Sequence, residues 1–219
     1  MRRLALGAVV LACCAGQVWA DSIVSIYSDK GAFLADTGAT SATGPLPHLG
    51  AIPGGANGVQ TVGDVTFTMS APASQLWFGR EYDLTAHIPG PDIGTSDVEN
   101  INADLASPVL ALGFDFVEPE FDPHINAPFV DSTFTVSLLL EAEVLDSFTF
   151  NAPNDTAAFV GVTSSAPFDR VEIRETVGGI ENEWFGQFYT APVPEPSTLF
   201  LLAMGVVGLL AYGWRRRKA

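Results

Sequence analysis

The chain has 219 residues, 47% of them hydrophobic, and a formal net charge of −15. Its ten Lys and Arg are segregated: Arg2 and Arg3 open the chain, Arg215, Arg216, Arg217 and Lys218 close it, and only Lys30, Arg80, Arg170 and Arg174 lie between. Those four cations face 24 of the 25 Asp and Glu, so residues 21–193 carry a formal charge of −20, which repels nucleic acid and anionic membrane surfaces.

The first element in chain order is a secretory signal over residues 1–20. Arg2 and Arg3 form its charged start, and residues 4–12 form a short apolar stretch. That stretch is far below the roughly 20 apolar residues a spanning helix needs. Val18, Trp19 and Ala20 end the segment with the small residues a signal peptidase reads, which places cleavage before Asp21. The expected partners are the Sec translocon and signal peptidase. Leu11-Ala12-Cys13 matches a lipoprotein signal only in part. Cys13 and Cys14 are the only two cysteines and leave with the signal. The mature body then has no disulfide, no cysteine zinc site and no cysteine nucleophile. Packing, alone or with a metal, must hold it together.

Residues 21–190 read as one exported acidic domain. Residues 28–34 (SDKGAFL) are the best helical candidate, with Ser28 as cap. Residues 37–63 are rich in Gly, Pro and Ala and read as a long connection. After them come short runs with apolar residues at a spacing of two: 64–69, 109–117, 132–137, 144–150, 158–162, 168–173 and 184–189. Gly, Pro, Asn and Asp separate the runs. This pattern predicts antiparallel strands with one buried face. The expected fold is all-β, an antiparallel β-sandwich of jelly-roll type with one short N-terminal helix.

Chemistry is sparse. His48, His87 and His124 are widely spaced, and HExxH, GxSxG, P-loop and GxGxxG patterns are missing from the sequence. The expectation is that the body is not an enzyme. Glu118, Glu120 and Asp122 alternate, so in an extended segment they share one face. Asp92 and Asp97, with Glu99, make a second oxygen-rich stretch. Calcium takes six to eight oxygen ligands, which makes it the one candidate cofactor; a solvated acidic surface is the plain alternative. Trp77 and Trp184 are candidate sugar-stacking rings. Each precedes a Phe, and neighbours on a strand face opposite ways, so one of each pair belongs to the core.

The last element is residues 191–219. Residues 197–214 form an 18-residue run without a charge. As a helix it spans about 27 Å, close to a hydrocarbon core of about 30 Å. Tyr212 and Trp214 suit the interface at one end, and Arg215, Arg216, Arg217 and Lys218 hold that end in the cytoplasm. This is a separate transmembrane helix, and it leaves the acidic body on the exported side. Before it, Pro194 and Pro196 keep the chain extended around Glu195, whose carboxylate stays out of lipid.

A Pro194-Glu195-Pro196 tripeptide, an apolar helix and a terminal basic cluster together resemble the PEP-CTERM sorting signal. The resemblance covers residues 193–219. It implies recognition at Pro194, Glu195 and Pro196 by an exosortase, a membrane-embedded transpeptidase-like enzyme that supplies the catalytic cysteine. It also implies a Gram-negative-type bacterium, often one that makes exopolysaccharide or biofilm. Parts of the body resemble proteins that often carry this signal. These are Tyr27-Ser28-Asp29 with Phe33-Leu34, residues 111–116 (ALGFDF), and residues 159–164 followed by 167–171 as a late hairpin. That likeness implies a sandwich body of undefined role.

The expected protein is therefore a structural or binding module. Its precursor is anchored in the inner membrane with a periplasmic body. After processing the body moves to the cell surface or extracellular matrix, where exopolysaccharide is a candidate partner. The alternative is a secreted polysaccharide hydrolase with acidic residues in a sandwich cleft.

Overall fold

The computed structural model describes residues 22–52, 58–70, 75–79, 88, 90–96, 100–119, 121–122, 127–128, 131–178 and 183–193. The expected signal peptide and the segment from Pro194 onward lie outside these. Among the described residues no helix is long and apolar enough to cross a membrane.

The described residues form one short helix and fourteen strands in chain order. They are β1 (Ile23–Tyr27), α1 (Lys30–Thr37), β2 (Thr40–Ser41), β3 (Gly50–Ile52), β4 (Val59–Val62), β5 (Val65–Met69), β6 (Gln75–Phe78) and β7 (Ile93–Ser96). After them come β8 (Asn100–Val117), β9 (Phe121–Asp122), β10 (Ala127–Pro128), β11 (Thr133–Leu140), β12 (Glu143–Phe150), β13 (Ala158–Val177) and β14 (Trp184–Pro192). All but β9 and β10 belong to one antiparallel sheet, whose main path runs β12-β11-β13-β8-β14-β7-β6-β3.

The two long strands organise this sheet. In β8, burial alternates until three exposed residues, Ala106, Ser107 and Pro108, and then resumes at Val109. In β13 the register against β8 shifts between Thr163 and Phe168, around Pro167. Neither proline can donate to a ladder, so both strands bend at one level. Beyond the bend each strand changes partners. Ile101 to Leu105 of β8 pair with β5, whereas Val109 to Val117 pair with β14. Strand β13 serves β11 on one side of its bend and β1 on the other.

The core lies between the two halves. Phe67 of β5 meets Phe188 of β14 at 5.0 Å between ring centroids. Phe116 of β8 meets Phe134 of β11 and Phe150 of β12, both at 5.3 Å. Phe67, Phe78, Phe114, Phe116, Phe134, Phe168, Phe185 and Phe188 are all fully buried. Rings at 4.5–7 Å in tilted or edge-on contact add to their area burial.

A second, smaller cluster docks α1 on the outer face. Phe33 packs against Tyr27 at 5.5 Å and Phe159 at 5.2 Å. Gly113 and Gly161, opposite each other on β8 and β13, leave room for these rings. A Cβ at Gly161 would lie 2.9 Å from the Phe33 ring and 2.8 Å from the Phe159 ring.

Several expectations need correction. The helix is capped by Asp29, whose side chain accepts from the Ala32 N–H at 2.6 Å, and not by Ser28. Gly38 ends it in a left-handed conformation. The late hairpin is one continuous strand, β13, because Pro167 sits at a bulge rather than a turn. The long connection holds β2, β3 and β4. Strands β1 and β7 lie outside the period-two runs, whereas β6 holds Trp77 and Phe78 as strand neighbours. Strand β7 (IGTS) has Gly94 after Ile93 and a polar Thr95 where the alternation wants a second apolar residue.

Candidate functional site

Strand β14 connects the body to the C-terminal segment, and it is an interior strand. It pairs with β8 from Trp184 to Pro192, and with β7 at Trp184 and Phe185. Near its end Tyr189 and Thr190 also pair with Ser41 and Thr40 of β2. The surroundings of this end are knitted by backbone bonds. The Ala42 N–H donates to the Phe188 carbonyl at 2.8 Å, the Asp64 N–H to the Ala42 carbonyl at 2.9 Å, and the Ala106 N–H to the Asp64 carbonyl at 2.9 Å. Gly63 is required in the β4–β5 turn. Its φ is +58°, and a Cβ there would lie 2.2 Å from the Ala42 carbonyl oxygen. A cavity of about 180 Å³ opens here, lined by Thr40, Asp64, Ser107, Thr190 and Pro192 among others, and Asp64 is its single carboxylate.

On the outer face an ionic clip holds α1. Lys30 Nζ donates to both Asp115 oxygens, at 3.0 and 2.9 Å, and to the Tyr189 hydroxyl, and it lies 4.2 Å from the centre of the Tyr189 ring. Tyr189 in turn donates to Asp115 at 3.1 Å. Burial works against the Lys30 ammonium, but the bonds to Tyr189 and Asp115 outweigh it and raise its pKa above the ordinary 10.5. Burial also raises the Tyr189 phenol above its ordinary 10.0. Both groups hold their protons more tightly when folded. Their contribution is complete below the unfolded values and is lost as pH rises through the folded ones. The melting temperature should therefore hold steady from about pH 8 to 10 and fall above that. A Lys30→Met variant should show a shallower alkaline fall; an identical fall would show that the clip does not contribute.

The other described internal cations are also paired. Arg170 bonds Asp104 through Nε, and Arg174 meets Glu172 at 2.9 Å. The acidic excess of the body is thus left largely uncompensated.

The calcium candidates are only partly described. Glu118 is fully buried, and its Oε1 accepts from the Ser132 N–H. Asp92, just before β7, is 5% exposed, and its carbonyl accepts from the Gly79 N–H at 2.8 Å. Asp122 lies on β9 opposite Ala127. Glu120 and Asp97 fall outside the described residues. Among the described residues no three His, Cys, Asp or Glu gather as a metal set. Glu183, which the sequence did not single out, is fully buried immediately before β14. Its only sequence signal is an acid beside an aromatic strand.

Trp77 and Trp184 are brought together in part. Both stand opposite Gly94, on β6 and β14 either side of β7, so they share one face. Phe78 and Phe185 point the other way into the core. Trp184, however, is only 3% exposed and packs over Gly94, so its ring is not offered to solvent. A Cβ at Gly94 would lie 3.3 Å from Trp184 Nε1. Trp77 is half-buried. His48 is exposed and donates from Nδ1 to the Gly79 carbonyl at 2.9 Å; His87 and His124 lie outside the described residues. A second cavity, of about 350 Å³, lies beside Tyr27, Phe150, Asn151, Pro153 and Thr156, and no carboxylate lines it.

Compared with known proteins, the chain has no match among curated ones. Its residues 192–218 match the PEP-CTERM protein-sorting motif. The match starts at Pro192, the last residue of β14, and takes in Pro194, Glu195, Pro196, Tyr212, Trp214, Arg215, Arg216, Arg217 and Lys218. The chain carries a PEP-CTERM sorting motif, the mark of an exported protein sorted by exosortase, directly on the end of an interior strand of its folded body.

Proposed function

We propose that the protein is a cell-surface or extracellular-matrix component whose body is a non-catalytic structural or binding module. In this reading the apolar run at residues 197–214 anchors the precursor in the inner membrane, and exosortase processing releases the body outward. The body works as a jelly-roll-like sandwich made by folding one sheet over itself. The observation that carries the reading is the sorting motif beginning at the last paired residue, Pro192, of a body with a formal charge of −20. Such a body stays soluble and apart from its neighbours. Adding protease to intact cells tests the proposal. The body should be accessible when exosortase is present and protected when it is deleted; equal protection in both would contradict it.

Calcium is part of the proposal, through the segments around Asp92, Asp97, Glu118, Glu120 and Asp122. Calcium at a hundred times its Kd should stabilise the body by about 2.7 kcal/mol, and chelator should reverse the gain. An unchanged melting temperature would remove the ion from the account. Exopolysaccharide remains the proposed partner, with Trp77 as the ring to test by binding of the Trp77→Ala variant.

A further inference from the structure

Both ends of the body leave from the same end of the sheet. Ile23, at the start of β1, pairs with Ser164 of β13, and Thr163 beside it pairs with Ala111 of β8. Ala111 also pairs with Ala191, near the end of β14. The two exits therefore lie at one level, three strand spacings or about 14 Å apart. This is the end where β8 bends at Ala106, Ser107 and Pro108. Both membrane-directed segments of the precursor start from it.

The tether on the C-terminal side is very short. Pro192 is still paired, with Val109, and Val193 alone separates it from Pro194. Glu195 is three residues beyond the ladder, a reach of at most about 10 Å. An enzyme that reads Glu195 must come that close to the folded body. Peeling β14 away instead would break pairing to β8 and to β2.

We infer that the end of the body around Pro192 is a contact surface for the exosortase, and that it includes Thr40, Asp64, Ala106, Ser107 and Thr190. This rests on the motif being an exosortase signal. The surface suits the role. Thr40, Asp64, Ala106 and Ser107 are exposed, only one of the five is charged, and the backbone bonds joining Ala42, Asp64 and Ala106 hold it rigid. In a body this acidic, a patch with one carboxylate can approach a membrane-embedded partner at small electrostatic cost.

Full-length precursor coexpressed with exosortase tests the inference by the rate of loss of the tail. Ser107→Arg and, separately, Thr40→Arg should each slow processing about tenfold, equivalent to about 1.4 kcal/mol of lost contact. Val177→Arg, on an exposed residue at the far end of β13, should process normally. A flexible spacer of about ten Gly and Ser residues between Val193 and Pro194 adds roughly 17 Å of reach and should restore both slow variants. Unchanged melting temperatures establish that the variants fold. Wild-type rates for both arginine variants would overturn the inference, and so would slowing that the spacer does not relieve. Glu195→Gln on the wild-type body separates the two levels. If that variant is still processed, the motif reading itself has failed, whatever the arginine variants do.

Discussion

Replacing Glu195 with Gln should sharply reduce sorting while the body folds unchanged. Glu195 is flanked in the sequence by Pro194 and Pro196, and prolines restrict the backbone around them, so the segment is expected to lose little freedom on binding. Gln keeps that shape and length and removes only the charge. A hydrogen bond to a charged group is worth about 1.5–3 kcal/mol. Leaving a desolvated partner charge unpaired costs about 2–5 kcal/mol. Processing should therefore fall by a factor of about 30 or more, and unprocessed precursor should accumulate in the cell envelope. The body should be indifferent, because its last ladder pair is Pro192 with Val109. Normal processing of Glu195→Gln would reduce the tripeptide to a stiff linker.

The second large effect belongs to the core. Phe116→Ala should destabilise the body by about 3–5 kcal/mol, against a total stability of about 5–15 kcal/mol for an ordinary domain. Phe116 is fully buried and touches rings from three other strands: Phe134 and Phe150 at 5.3 Å, and Phe185 at 5.2 Å. Those contacts join the two halves of the bent sheet, so the cavity left by Ala opens between layers and collapses poorly. Val144→Ala makes the contrast. That side chain is 61% exposed on β12, and its loss should cost about 0.5 kcal/mol or less. Chemical denaturation of the two variants measures both values. A Phe116→Ala cost under about 1 kcal/mol would mean that the halves are not packed as described.

Alternation made much of the sheet legible. Val65–Met69, Thr133–Leu140 and Trp184–Pro192 lie where the period-two runs fall, since a strand with one buried face must write that pattern. The bend was not legible. Pro108 and Pro167 read as breaks, and only the pairing of β8 with β13 shows that the strands continue through them. Strand β7 was hidden because Gly94 gives up its side chain to make room for Trp184, a contact 90 residues away in sequence. Local propensity cannot report such a trade.

The candidate site divides in the same way. The sorting motif is a linear signal and could be read directly, and residues 192–218 match it. The placing of Asp29 rather than Ser28 as cap depended on a single turn of backbone. The union of Lys30 with Asp115 and Tyr189 joins residues up to 159 positions apart, and nothing in their spacing announces it. The burial of Trp184 likewise follows from the register of β14 against β7.

The central claim is that an exosortase cuts this chain at its C-terminal signal. Intact mass measurement of the protein from cells with and without that enzyme tests it most directly. With the enzyme, the recovered protein should lack the apolar run and its basic end; without it, the protein should retain both. The same C-terminus in both strains would contradict the account.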